Sequence, residues 1–501
     1  MLRGSRRGWA IARSTRVLAL GASAALALSA AALGAELGVG RSIGGNAQVG
    51  AGAGYATMEG ALIEAYVNNP QLNSQRAATR AVDENVSIAL AGYRPRVSGT
   101  SSLTEQYLDT LTKTGVDPKT ATPLYTTTKG AVAVSNFGLT TTQTLFNGFQ
   151  TSNRTRQAEG QVFAAREALR TVEQTTLLNA ATAYMNLLQN AALLELQRSN
   201  VNVLEVTLRQ TRDRFTAGEV TRTDVAQAES SLAQGRSQLS IAESNYVTAR
   251  AQYQQVIGVP APTRISPAAP VDRLSPRTLD AAIARGRGEH PTITTAMYNV
   301  DVALQQVKIA EGALAPSLAA VGNVQKQFGS AQSLQVLEIL SASVAAQLTV
   351  PIYQGGAEYS AIRQSKETLG QRRLDLDTAR DQVVSGVTQA WGALDAAKAA
   401  INSTQAQVTA AEVAPNGVRE EARVGQRTTL DVLNAQQTLV NARSALVTAQ
   451  RDRVVASYTV LAAVGSLSPQ ILGLRVPVYD PMVHYQQVRD AWGGVRAPDG
   501  R

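Results

Sequence analysis

One helix-ending signature occurs twice in this chain, as RFTAGEVTRTDVAQ at residues 214–227 and as RVGQRTTLDVLN at residues 423–434. Gly218 corresponds to Gly425, Thr221 to Thr428 and Asp224 to Asp431, each pair 207 positions apart (431 − 224 = 207). In both copies a long helical pattern stops at a glycine, which can take the left-handed conformation that ends a helix. A new helical pattern then starts at Thr-x-x-Asp, where the side chains can satisfy free backbone amides. Each copy is therefore read as the tight tip of a helix hairpin. A chain with two such hairpins at a fixed offset is constrained to a tandem duplication.

Other landmarks keep step. His290-Pro291 and Pro316 fall 221 positions after Asn69-Pro70 and Pro95 (290 − 69 = 221). Tyr353-Gln354-Gly355, Trp391 and Val464-Gly465 fall 207 after Phe146-Asn147-Gly148, Tyr184 and Ile257-Gly258 (391 − 184 = 207). The offset changes once, by 221 − 207 = 14 residues, between two strand-like runs of the first half. An insertion confined to a loop is what a structural duplication tolerates.

The order of patterns in each half is helix, strand, loop, strand, long helix, tight turn, helix. The first helical pattern, residues 58–93, is interrupted at Asn69-Pro70 and ended by Pro95. Strand-like runs cover 96–108, 131–146, 317–328 and 341–353, with a Thr-, Lys- and Pro-containing polar loop between the first two. A run of about 13 residues at ~3.3 Å each, tilted near 45°, spans about 30 Å, enough to cross a bilayer. From Gln161 to Ala217 there are 57 residues without a glycine or proline, with apolar residues at three- and four-residue steps. A helix of that length belongs to an extended bundle or coiled coil rather than to a globular core. The chain divides into 1–35, a leader; 36–56, a Gly-rich segment; 57–264, the first repeat; 265–278, a Pro-rich linker; 279–470, the second repeat; and 471–501, a polar tail with a short helical stretch, placed around the equator of the helical body.

Residues 1–35 have a basic start, an Ala/Leu core and a small-residue exit at Leu33-Gly34-Ala35, the layout of a cleaved secretory leader. Ser5-Arg6-Arg7 also hints at a twin-arginine signal. Five arginines of the formal +9 charge lie there, so the remainder carries 9 − 5 = +4 and nucleic acid is not implied. No later stretch of 18 apolar residues occurs, so a bilayer crossing requires a closed β-barrel. Four strands cannot close a barrel, the smallest having about eight, so copies of the chain must associate symmetrically. Cysteine is absent and histidine occurs twice, at His290 and His484. There is no Gly-x-x-x-x-Gly-Lys, His-Glu-x-x-His or Gly-x-Ser-x-Gly, so no enzyme, cofactor or metal site is expected. Asp375-x-Asp377 is read as a solvated helix face.

Tyr184 in ATAYMNLL, the RFTAGEVTRTDV turn, PIYQGG at residues 351–356 and RVGQRTTLDVLNAQQTLVNA at 423–442 resemble the TolC family of trimeric outer-membrane efflux proteins. The resemblance covers nearly all of residues 57–470. It implies a mainly α fold with a membrane β-barrel: four strands per protomer forming a twelve-stranded barrel in a homotrimer, continuous with a periplasmic α-barrel of long coiled-coil helices. It implies a passive exit duct of a tripartite efflux pump or type I secretion system, in the outer membrane of a Gram-negative bacterium. Its partners would be outer-membrane lipid, a periplasmic adaptor and an inner-membrane pump, and its periplasmic end would open by iris-like untwisting. Asp431 matches the family's aperture acid; three copies near one axis would repel one another, raising their apparent pKa and favouring bound cations. The same acid is also placed to cap its helix. A second family acid one turn later is Asn434 here. Arg427 matches a residue that links neighbouring helices to the acid of the first turn, Asp224, as a latch on the shut state. A family tyrosine near that latch is Ala422. Gly218 and Gly425 would be the hairpin tips where an adaptor docks. Tyr107, Phe137, Phe146, Phe328 and Tyr353 are candidates for the membrane interfaces. The alternative is a periplasmic coiled-coil structural or adaptor protein without a pore, from which the four barrel-length runs distinguish the duct.

Overall fold

The computed structural model describes residues 56–329 and 338–498. The leader and residues 36–55 of the Gly-rich segment lie outside the described residues. The chain divides into the units Met1–Ala51 and Gly52–Arg501, and everything below belongs to the second.

The first half runs α1 (Met58–Asn68), α2 (Pro70–Leu90), β1 (Arg96–Val116), β2 (Pro123–Asn147), α3 (Gln150–Thr216) and α4 (Arg222–Ile257). The second repeats this order with α5 (Leu279–Glu289), α6 (Pro291–Gly312), β3 (Ser317–Gly329), β4 (Glu338–Thr349), α7 (Ala357–Arg423) and α8 (Thr429–Ala463), and α9 (Pro481–Val488) follows. The duplication is visible in individual caps. Asn69 Oδ1 accepts from the Leu72 amide ahead of Pro70, and His290 Nδ1 accepts from the Thr292 amide ahead of Pro291. Proline at the first helical position loses no intrahelical bond, so both X-Pro pairs restart a helix rather than end one. α3 and α7 are each 67 residues long, about 100 Å at 1.5 Å per residue.

These two helices are the continuous columns of the protomer. α3 packs beside α2 and α6 in one half of its length, and beside α4 and α8 in the other. α7 likewise packs beside α6 and then α8. The short helices therefore stack in pairs. Gly258, at the end of α4, meets Asn68, and Asn69 Nδ2 donates to the Val256 carbonyl at 2.8 Å. Gly465, just past α8, meets His290 and Pro291. The result is four columns in the order α2/α4, α3, α6/α8, α7.

The four strands follow the same order. They form one antiparallel sheet, β1-β2-β3-β4, in which β2 and β3 pair across the repeat boundary. β1 and β4 each present an unpaired outer edge. Residues directly opposite in a ladder share a face, and faces alternate along each strand. The register then separates two surfaces. One carries Val97 and Leu103 of β1, Phe137 and Leu139 of β2, Leu318, Val324 and Phe328 of β3, and Leu340, Val344 and Leu348 of β4. The other carries Ser98, Thr100 and Ser102, then Asn136, Thr140 and Thr142, then Asn323, Gln325 and Gln327, then Ser341, Ser343 and Gln347. Among the described residues, ion pairs on the apolar face lie at the end far from the helices, Asp109 with Lys129 and Lys326 with Glu338, both at 2.7 Å.

Three sequence expectations are corrected. The polar loop between the first two strands is mostly ladder: β1 continues to Val116 and β2 starts at Pro123, so only residues 117–122 turn. Threonines 110, 112, 114 and 126–128 are β-branched and fit a pleated strand, so polarity alone misled. The 14 extra residues lengthen this hairpin beyond the level at which Val134 pairs with Gly329. At the other end β4 stops at Thr349 rather than Tyr353, because Pro351 has no amide to give to a ladder. The tail is the third. Its first part packs on the core at mid-length of the columns through Leu472, Leu474, Val476 and Tyr479, whose amide donates to Tyr66 Oη of α1 at 3.2 Å. From α9 onward it leaves that level and runs along α2, to where Arg94 donates to the Ala491 carbonyl at 2.6 Å.

The main core sits where α1, α3, α4 and α8 meet the linker, around Tyr66, Tyr184, Tyr253 and Leu461. The Tyr184 hydroxyl lies 2.8 and 2.6 Å from the carbonyls of Ala56 and Ser266, and burial pushes its pKa up to about 12. Its counterpart Trp391 packs against a smaller core built from α5, α6, α7 and α8.

Candidate functional site

Both hairpin tips have the same construction. Gly218 and Gly425 have φ of 76° and 78°, with no atom within 4 Å of where a Cβ would stand. Glu219 and Gln426 return their amides to the Arg214 and Glu421 carbonyls at 2.9 and 3.0 Å, closing the orphan end of each helix. Three residues after each glycine a capping box opens the next helix. Thr221 Oγ1 accepts from the Asp224 amide, and the Asp224 carboxylate accepts from the Thr221 amide at 2.9 Å. Thr428 and Asp431 repeat this, the Thr428 amide donating to Asp431 at 2.9 Å.

These bonds hold both carboxyls below the usual range. For Asp224 the main cause is the Thr221 hydroxyl, followed by the Thr221 amide, with the Thr429 hydroxyl and Arg214 contributing. For Asp431 the main cause is the Thr428 amide, then its hydroxyl, then the nearby Arg427. Within one protomer Asp431 is thus a charged cap, and repulsion between copies has to act against that stabilisation. The Thr429 contact also shows that the tip of the first hairpin touches the start of α8. Leu433 of α8 is buried against Val201, Leu204 and Leu208 of α3 and Ala228 and Leu232 of α4. Asp431 and Asn434 flank that anchor, and Asn434 stays exposed.

Arg427 forms its ion pair inside its own hairpin, with Glu421 at 3.0 Å, and is not paired with Asp224 within the chain. Ala422 is buried and carries no hydroxyl that could contribute a latch bond. Asp375 and Asp377 pair with Arg372 and Arg380 one turn away on the surface of α7.

Sequence reading missed Pro415, which lies inside α7 and is buried. Its ring cannot donate to the Ala411 carbonyl, so α7 lacks one rung eight residues before its end at Arg423. The matching position of α3, 207 earlier, is Leu208, which keeps its amide and packs in the tip core (415 − 207 = 208). The signal was a proline present in one repeat and absent from the other. Replacing Pro415 with Ala should stabilise α7 by up to about 3 kcal/mol. Hydrogen exchange over residues 408–423 should slow accordingly, and unchanged exchange would mean that the missing rung is fully compensated by packing.

The second surface of interest is the sheet. It has one face of aliphatic and aromatic side chains, one of hydroxyls and amides, and two open edges. Among the described residues no group of three or more His, Asp or Glu side chains is arranged to hold a metal. No described helix is long and apolar enough to cross a membrane.

A family model described as "Outer membrane efflux protein" matches residues 61–259 and 283–466, one segment for each repeat. The chain is 41% identical to the outer membrane efflux protein BepC of Brucella suis over 459 residues, covering 92% of this chain and 96% of that one. It is 26% identical to the outer membrane protein TolC of Escherichia coli over 322 residues, covering 60% of this chain and 64% of that one. In three dimensions it is similar to the CmeC outer membrane channel of Campylobacter jejuni, with a TM-score of 0.70 at 15% identity, covering 86% and 89% of the two chains.

Proposed function

The chain belongs to the outer membrane efflux protein family, and on that premise we propose that three copies form a passive exit duct through the outer membrane, shut at the hairpin tips until partner proteins open it. The observation that carries the trimer is the pairing of the sheet's two faces with its two open edges. Apolar side chains on one face suit lipid, and hydroxyls and amides on the other suit water. Open edges are not viable in hydrocarbon, where each unpaired backbone group costs several kcal/mol. Joining β4 of one copy to β1 of the next pairs both edges, and three copies give twelve strands above twelve helical columns. The neutral face then lines the lumen, and the long β1–β2 hairpin projects on the far side of the membrane. Imaging of detergent-extracted particles tests this: threefold order about a hollow axis is expected, and a monomer or a solid particle would refute it.

The tips are the gate in this reading. Asp431 would line the aperture as three carboxylates, Asn434 adding no charge, so divalent block should be weaker than with a second acidic ring. Arg427 would reach Asp224 of a neighbouring hairpin in the shut trimer, exchanging its Glu421 contact for it. The hairpin α7–α8, which carries Asp431 and is softened at Pro415, would move against the firmer α3–α4. The exposed tips at Gly218 and Gly425 would receive a periplasmic adaptor, coupled to an inner-membrane pump. Relatives include the outer membrane efflux protein BepC and the alkaline protease secretion protein AprF. Both efflux and protein secretion therefore fit the duct.

Charge reversal tests the latch. Arg427→Glu should raise leak conductance several-fold, in line with losing exposed pairs that together hold the shut state by about 1 kcal/mol. Adding Asp224→Arg should restore part of the closure. A double variant that leaks as much as Arg427→Glu alone would leave Glu421 as the arginine's only partner.

A further inference from the structure

We propose that the C-terminal segment around Trp492 is a lipid clasp, seating its indole ring among phospholipid headgroups at the inner leaflet of the outer membrane. The proposal rests on the duct reading, because it takes the apolar face of the sheet as the lipid face.

The tail is fastened along α2 at successive points. His484 Nδ1 lies 3.0 Å from a carboxylate oxygen of Asp83, which is fully buried, with Arg166 at 3.8 Å from the other oxygen. Burial raises the Asp83 pKa while His484 and Arg166 pull it back. Arg166 also stacks over Tyr485 at 5.0 Å. Arg489 pairs with Glu159 at 3.8 Å. Finally Arg94 holds the Ala491 carbonyl and lies over the Trp492 ring at 4.7 Å. Yet Trp492 is 74% exposed, and Val495 beside it is fully exposed. A segment held this firmly presents a large apolar ring instead of packing it.

The height of that ring is defined by its tether. Arg94 lies two residues before Arg96, the first residue of β1. Gln143, on the apolar-face register of β2, donates to the Tyr93 carbonyl at 2.9 Å, which sets the Tyr93–Arg94 peptide on the lipid side of the sheet's base. Phe146 ends the same face and stacks edge-on with Phe149 at 5.4 Å, both exposed. Trp492, tied to Arg94, thus stands near the base of β1, and Phe146 and Phe149 mark the same junction of strands and helices on β2 and α3. Indole rings settle at the headgroup level, apolar body toward the chains and N–H toward water. The Arg94 guanidinium lies over the ring and can face a lipid phosphate, while along the segment Arg489 and Arg496 alternate with Asp490 and Asp499. Continuity with the lipid face and the Arg94 cation favour phospholipid over a protein partner.

The mature chain without its leader keeps two of the three tryptophans, Trp391 and Trp492. A Trp391→Phe variant reports on Trp492 alone. Reconstituted into phosphatidylethanolamine/phosphatidylglycerol vesicles brominated near the headgroup end of the acyl chains, it should lose about half its emission relative to unbrominated vesicles, as an interfacial indole would. Bromines near the chain ends should quench much less, and Arg94→Gln should weaken the shallow quenching. Equal emission in brominated and plain vesicles that conduct ions would overturn the clasp and leave the duct standing. Failure to insert or conduct would overturn the duct reading and the clasp with it.

Discussion

Val344→Arg should remove the trimer from the outer membrane, whereas Ser343→Arg, one residue away, should leave it assembled. Val344 is 89% exposed in the isolated chain and pairs with Gly322 near the middle of β3–β4. Its neighbours on that face, Leu340 and Leu348, are apolar. An arginine at the midplane of a barrel's lipid face costs about 2–4 kcal/mol, and three copies make that ~6–12 kcal/mol per trimer. This is comparable with the whole folding stability of a typical domain, about 5–15 kcal/mol. Ser343 pairs with Asn323 on the opposite face, where an arginine would meet water and hydroxyls. It should shift ion selectivity toward anions with little loss of assembly. The measurement is trimer recovered from outer-membrane fractions, followed by selectivity in planar bilayers. Equal loss in both variants would mean that the faces are misassigned.

Removing the aperture charge is expected to have the second large effect. The capping geometry makes the choice of substitution matter. Asp431→Ala deletes both the charge and the acceptor for the Thr428 amide, so it loosens the turn as well as the ring. Asp431→Asn keeps a side-chain oxygen for that amide and removes only the charge. Both variants should show at least ten-fold weaker block by divalent cations, since three convergent carboxylates are lost. Only the alanine variant should also raise resting conductance. Block retained in Asp431→Asn would take Asp431 out of the aperture and leave it as a cap.

Local structure was legible because it depends on neighbours in sequence. The Gly218 and Gly425 helix ends, the Thr-x-x-Asp boxes, the Asn-Pro and His-Pro restarts and the glycine-free run of α3 need only backbone geometry and hydrogen bonds within a few residues. The repeat offset turned those local readings into a duplicated architecture. Errors came where a local rule met a longer-range one. Thr110, Thr112 and Thr126 to Thr128 looked like loop until cross-strand partners made them ladder. The tail's course depended on His484 finding Asp83, 401 positions away (484 − 83 = 401).

Thus the chain alone determined two tandem hairpin-bearing units, barrel-length strands and the residues of each tip, because spacing and capping are short-range properties. Tertiary structure decided which strand edges stay open, which face of each strand is apolar, that Arg427 takes Glu421 within its protomer, and that Trp492 stands beside the base of β1. Strand register and the seat of Trp492 depend on contacts between segments up to about four hundred residues apart, and Arg427 had two acids in reach of its sequence pattern, between which only the three-dimensional shape of the tip decides.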